Sequence, residues 1–236
     1  MIGVIGGAGV AATNKLCQLV EELKTINGAY RDAHHPEMLI WQATQVPSRS
    51  MYLEGKGPSW IEGYVKIGKK LKDCGCDELC MCCNTAHYAI ETLETEIGIK
   101  IINLLDLVAQ RVNASGCNKV GMMCSDGLAK VKLYDERFKI HAPDSMLFYP
   151  ELGFQTFVTK GICNAKNSRR YTEKSDSDNP HTLFSNVVEH LKNRGCSCVV
   201  AGCTDIRNVY KYDKRDIVYI DSLEVLAEYI CLNARL

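Results

Sequence analysis

Cys83 and Cys203 lie 120 residues apart in matching surroundings. From Leu71 the chain reads LKDCGCDELCMCCNT, and from Leu191 it reads LKNRGCSCVVAGCTD. Leu71, Lys72, Gly75, Cys76 and Cys83 thus return as Leu191, Lys192, Gly195, Cys196 and Cys203 without a gap. In each copy a helical segment ends at a glycine, the residue suited to a left-handed C-terminal cap. A short apolar strand follows and delivers a cysteine at its carboxyl end. Ligands bind beyond the carboxyl ends of strands in open parallel sheets, so both thiols stand where a site is expected. Small polar residues come next: Asn84, Thr85 and Ala86 after the first thiol, Thr204 and Asp205 after the second. Such residues open helices. A helix start offers N–H groups and partial positive charge, which lower a thiol's pKa and bind a carboxylate. If the two halves of the chain face each other, so do the two thiols.

The chain has 13 cysteines, and free cysteine is often a small buried hydrophobe. Cys17, Cys117, Cys124, Cys163 and Cys231 stand alone, while Cys74, Cys76, Cys80, Cys82, Cys196 and Cys198 lie along the strands or near their starts. These eleven read as core or surface thiols. A metal site is the rival account of CGCDELCMCC, because cysteine-rich tracts bind zinc or copper. Strand alternation opposes it: Cys82 and Cys83 point to opposite faces and cannot enter one site together. No metal ligand is assigned.

The elements that must position these thiols follow from alternation along the chain. Apolar runs of strand length, such as IGVIGG, EMLIWQA and ELCMCC, alternate with helix-period segments at 14–26, 59–72 and 86–97, the pattern of an α/β fold with parallel sheets. GVIGGAG resembles GMMCSDG, and INLLDLVAQRV resembles VYIDSLEVLAEYI, so the second half repeats the first. We expect two lobes, residues 1–104 with Cys83 and 105–212 with Cys203. The tail, 213–236, is expected to return a strand and a helix to the first lobe. The polar segment 164–182 reads as a surface loop or a helix start.

Composition narrows the partners. The 236 residues are 46% hydrophobic, enough for a sizeable core. Lys plus Arg and Asp plus Glu are each 28, leaving no basic excess for nucleic acid or an anionic membrane. No apolar run approaches the ~20 residues of a membrane span. The N-terminus lacks the charged start of a signal peptide, and the odd cysteine count of a long chain does not suit a disulfide scaffold. A soluble cytoplasmic protein with reduced thiols is expected.

Four segments carry a family resemblance: IGVIGGAG with AAT, HPEMLIWQATQVPSR, CNTAH and GCTDI. Together they resemble the cofactor-independent aspartate/glutamate racemase superfamily, and within it the aspartate racemase branch, over nearly the whole chain. CNTAH and GCT are the specific part, since a glycine loop alone resembles many strand turns. The resemblance implies two pseudo-symmetric Rossmann-like lobes, each a mainly parallel sheet flanked by helices, with the active site between them, and a homodimer. It implies two opposed cysteines that invert an amino acid's α-carbon without pyridoxal phosphate, metal or nucleotide. It also places Gly7 and Ala8 at the substrate. The departures are Ala8 and Val10, where the usual loop has Met and Pro, Asp205 in place of Glu, and MCSDGLAK, which keeps only Gly127 of its pattern.

On that reading Cys83 and Cys203 exchange the α-proton on opposite faces, one entering as thiolate and the other as thiol. Asn84, Thr85, Ala86 and Thr204 supply donors for the α-carboxylate. Arg49 grips a side-chain carboxylate with its planar fork, and Lys160 assists from the second lobe. His87 either orients Cys83 or is satisfied structurally. His34 and His35 shape the first lobe. Asp205 either hydrogen-bonds its neighbours or acts on Cys203 by like charge. Three readings stay open: a racemase of aspartate, with or without glutamate; a relative such as a hydantoin racemase, maleate isomerase, arylmalonate decarboxylase or broad-specificity amino-acid racemase; or a thiol- or metal-binding protein.

Overall fold

The computed structural model describes residues 1–233, in two compact units: residues 1–104 with 223–233, and Leu105–Ser222. The first unit contains β1 (Ile2–Gly6), α1 (Val10–Ile26), a 3-10 turn (Asp32–His34), β2 (Met38–Gln42), α2 (Arg49–Glu54), α3 (Ile61–Asp73), β3 (Glu78–Met81), a 3-10 segment (Asn84–Ala89) and α4 (Ile90–Ile97). From α5 (Leu104–Ser115) the chain passes into the second unit: β4 (Lys119–Met123), α6 (Asp126–Val131), α7 (Leu133–His141), β5 (Met146–Phe148), α8 (Leu152–Ala165), a 3-10 turn (Ser168–Tyr171), α9 (Pro180–Asn193), β6 (Cys198–Ala201), a 3-10 segment (Thr204–Asn208) and β7 (Val218–Asp221). α10 (Ser222–Asn233) follows. No helix of the described residues is long and apolar enough to cross a membrane.

Both sheets are parallel. The first runs β2-β1-β3, and Ile101 adds one parallel bridge to Leu79 beyond β3. The second runs β5-β4-β6-β7. The strand order is the same in each, with β7 standing where the first sheet has the Ile101 bridge. The expected tail is corrected here: its strand and helix part company. β7 pairs with β6, Val218 opposite Cys198, and residues 223–233 belong to the first unit. A strand needs a neighbouring ladder for its backbone groups and finds one at β6, whereas a helix satisfies its own and needs only its apolar face covered. Residues 234–236 of that tail lie outside the described residues.

The repeated helices bury one stripe each. On α3 it is Tyr64, Val65, Ile67, Gly68 and Leu71, and on α9 Leu183, Phe184, Val187, Val188 and Leu191. Spacings of three and four residues put such positions on one helix face. The 120-residue offset carries through: Tyr64 matches Phe184, Ile67 matches Val187 and Leu71 matches Leu191. Each helix then stops the same way. Gly75 (φ +91) and Gly195 (φ +83) take the left-handed conformation, and the N–H groups of Cys76 and Cys196 return to the carbonyls of Leu71 and Leu191 at 3.2 and 3.1 Å. That closure aims β3 and β6 into the buried cores, where Leu79, Cys80, Met81, Val199, Val200 and Ala201 have no exposed surface.

Candidate active site

In the first unit the site residues collect where β1, β2 and β3 end. Gly7 turns the chain with φ +75, and a Cβ there would stand 2.5 Å from the backbone nitrogen of Ala43, so only glycine lets the loops after β1 and β2 touch. Its N–H donates to Thr13 Oγ1 at 2.9 Å. Ala8 is buried, and its carbonyl accepts from Arg49 Nη2 at 3.3 Å. Arg49 Nη1 donates to the carbonyls of Pro47 (3.0 Å) and Val46 (3.4 Å). The guanidinium is therefore fixed against two loops instead of moving in solvent. Its Cζ stands 6.0 Å from the ring centre of Tyr64. Burial pushes the Tyr64 hydroxyl well above the usual phenol range; Arg49 acts the other way, and Cys83 and Cys82 add to the rise.

At the end of β3 adjacent thiols part company: Cys82 has no exposed surface, while Cys83 is partly exposed. Cys83 opens a 3-10 segment, as Cys203 does in the second unit, where the sequence suggests α-helix starts. The tighter turn shows in the bonds Ala86 N–H to Cys83 O (3.2 Å) and Ile206 N–H to Cys203 O (3.1 Å). Small polar side chains compete locally for backbone groups and favour such turns. Asn84, Thr85 and Ala86 are buried.

His87 fastens backbone on both sides of its ring. It is buried, and its Nε2 accepts from the N–H of Leu104 at 3.1 Å. With Nε2 as acceptor the proton goes to Nδ1, which lies 3.0 Å from the carbonyl of Cys83 and 3.2 Å from that of Asn84, while Nε2 also stands 3.3 Å from the carbonyl of Ile102. A neutral imidazole thus ties the backbone behind the thiol to the start of α5. His34 lies in the turn ahead of β2, where Tyr30 N–H donates to its Nδ1 at 3.3 Å, and His35 follows it.

The second unit surrounds its thiol with charge. Cys203 is partly exposed, and its Sγ lies 4.0 Å from Asp205 Oδ2. That buried carboxylate meets Lys166 Nζ at 3.0 Å. Further along the same 3-10 segment, Arg207 Nε lies 3.9 Å from Asp221 Oδ2, both side chains buried. Thr204 is buried beside the thiol. Lys160 is placed otherwise: half exposed on α8, it pairs with Asp178 at 2.5 Å. The basic residue that reaches the Cys203 loop is Lys166, just past the end of α8, and sequence reasoning missed it. The loop after β4 is also pinned from α8, since Asp126 Oδ1 accepts from Gln155 Nε2 and Thr159 Oγ1, both at 2.8 Å. Among the described residues no three His, Cys, Asp or Glu side chains gather to hold a metal ion.

With both thiol modules described, comparison with known proteins decides the family. The model of Asp/Glu/Hydantoin racemase matches residues 2–230. The chain belongs to this family. The family's description is that of racemases, isomerases that invert a stereocentre. The broad specificity amino-acid racemase RacX of Bacillus subtilis (strain 168) is 21% identical over 233 residues, covering 97% of this chain and 95% of that one. Aspartate racemase of Picrophilus torridus has a similar structure, with a TM-score of 0.80 and 23% identity over 100% of this chain and 95% of that one. The glutamate racemase isoform RacE1 of Bacillus anthracis has a TM-score of 0.66 and 14% identity, covering 98% and 80%. These likenesses bear out the α/β fold with two parallel sheets.

Proposed function

We propose that this racemase interconverts L- and D-aspartate, and accepts glutamate more weakly, without a cofactor. One observation carries the reading: each unit ends its third strand at a partly exposed thiol that opens a 3-10 segment, Cys83 in one and Cys203 in the other. An amino acid's α-proton is weakly acidic, and inversion needs it removed on one face and replaced on the other. The thiolate takes the proton and becomes a thiol, while the opposite thiol gives its proton to the planar carbanion and becomes a thiolate. Charge and atoms balance, and the next turnover runs in reverse. Asn84, Thr85 and Thr204, with Ala8, offer the donors that hold the α-carboxylate, and Gly7 and Ala86 shape the loops beside it; Arg49 takes the side-chain carboxylate. The likeness to the aspartate racemase of Picrophilus torridus supports the substrate.

A second reading has its own support. RacX is described as a broad specificity amino-acid racemase, and it matches this chain almost end to end. One experiment separates the two. Protein dialysed against a chelator is incubated in deuterium oxide with L-aspartate, L-glutamate or L-alanine, and products are resolved by chiral chromatography and mass. D-aspartate carrying one deuteron at Cα, formed fastest from aspartate, is expected. Comparable rates with alanine favour the broad reading. No inversion and no deuterium uptake with any of them would overturn both.

A further inference from the structure

The folding of the first unit leaves buried donors over, the Trp60 indole N–H and the Tyr64 hydroxyl among them. Tyr64 is fully buried on α3, and its hydroxyl has no hydrogen-bond partner among the described residues. Buried hydroxyls are normally paired, because an unmade bond costs more than a made one gains. Packing accounts for the ring but not for the oxygen. At the matching position, 120 residues on, the second unit has Phe184, fully buried in the same stripe of α9. The ring alone therefore serves the fold, and the oxygen is what the first unit adds. Its neighbours give it a use. The Tyr64 ring stands 6.0 Å from Arg49 Cζ, and Arg49 is itself tied to the Ala8 carbonyl at the sheet's carboxyl edge. With the guanidinium lying over the ring that carries the neutral O–H, the pair offers donors suited to an anion with two oxygens.

We propose that Tyr64 is a specificity-determining residue whose hydroxyl donates to the side-chain carboxylate of a dicarboxylic amino acid gripped by Arg49. The proposal rests on the racemase reading above and names the group that selects its substrate. Because burial keeps the hydroxyl protonated, it serves as a donor across the working pH range. The ligand supplies the acceptor that the fold does not, so the cost of the unmade bond falls on the empty protein and is relieved on binding.

Tyr64→Phe removes only the oxygen and installs the side chain that the second unit already carries. Three readouts are expected to move together. The thermal midpoint of the free protein rises by roughly 2–4 °C, because an unpaired hydroxyl is gone. The KM for L-aspartate rises about tenfold or more, while kcat changes little. Stabilisation of the fold by succinate, a dicarboxylate without an amino group, shrinks relative to the parent protein. A lower midpoint would show that the hydroxyl holds the fold, and an unchanged KM would show that it never meets substrate; either overturns the proposal and leaves the racemase reading standing. A shifted pH profile of kcat with KM intact would assign the hydroxyl to Cys83 instead, and also overturn it. If the parent protein inverts no amino acid, the racemase reading falls first. Succinate then decides alone: equal stabilisation of parent and variant overturns the proposal, and selective loss in the variant sustains the carboxylate contact.

Discussion

His87 and Arg207 occupy the same place in the two units, 120 residues apart, and fasten the same kind of joint with opposite chemistry. Each sits in the 3-10 segment that follows a thiol and reaches the start of the helix after the sheet's last strand or bridge. His87 does so as a neutral imidazole, accepting from the Leu104 N–H at 3.1 Å. Arg207 does so as a cation, 3.9 Å from the buried Asp221 carboxylate. Two positions earlier the contrast repeats: Thr85 is uncharged, and its counterpart Asp205 carries a carboxylate paired with Lys166. The backbone requirement is therefore common to both units, and the charge is not. A thiol beside neutral fasteners and a thiol beside a carboxylate–ammonium pair meet different electrostatic surroundings, although the strand that delivers them is the same.

The largest effect expected is one that ignores this difference. If each thiol serves one face of the substrate, Cys83→Ser and Cys203→Ser both lose racemisation by at least about a thousandfold, roughly 4 kcal/mol in the barrier. Each variant keeps one thiol, which can remove and return a proton on its own side. Each should therefore exchange the α-proton of one enantiomer with deuterium oxide, and the two should choose opposite enantiomers, as read by NMR. Normal inversion in either variant, or a shared enantiomer, would rule out the two-base mechanism. Cys82→Ala, at the buried neighbour, should stay within about tenfold of the parent.

Next in size is the stability of the two joints. Arg207→Ala removes a cation from beside the buried Asp221 carboxylate, which costs about 3 kcal/mol. His87→Ala loses bonds between neutral groups and costs about 1–3 kcal/mol. Urea unfolding should rank the variants in that order. If His87→Ala proves the more damaging, the imidazole carries more than the backbone tie drawn here.

Much of this organisation is legible in the sequence because it is local. The glycine caps, the apolar strands and the cysteines at their ends recur at one fixed offset, and a constant offset survives only if each copy closes its helix and aims its strand alike. What escapes the sequence depends on where an element stops. Lys160 and Lys166 both belong to the α8 region, and only the end of that helix at Ala165 decides that the later one turns toward Asp205. The tail divides for a comparable reason, since pairing with β6 captures four residues that the following helix does not share. Arg49 stands out in VPSR by its type, but its anchoring by the carbonyls of Ala8 and Pro47 comes only from loops that meet in three dimensions.

The smallest effect expected concerns the two lysines and tests whether the charge near Cys203 matters. Lys160→Met removes an exposed ion pair with Asp178 and should leave turnover within about twofold, since exposed pairs contribute little. Lys166→Met keeps the apolar stem but leaves the Asp205 carboxylate 4.0 Å from the Cys203 sulfur without its ammonium. A carboxylate so placed opposes a thiolate, so kcat/KM should fall, by about tenfold. The fall must be equal for both enantiomers, because mirror-image substrates have an equilibrium constant of one and no variant can alter it. Adding Asp205→Asn to Lys166→Met removes the opposing charge, and much of the lost rate should return. If the double variant is as slow as the single one, Lys166 acts through something other than its ion pair with Asp205.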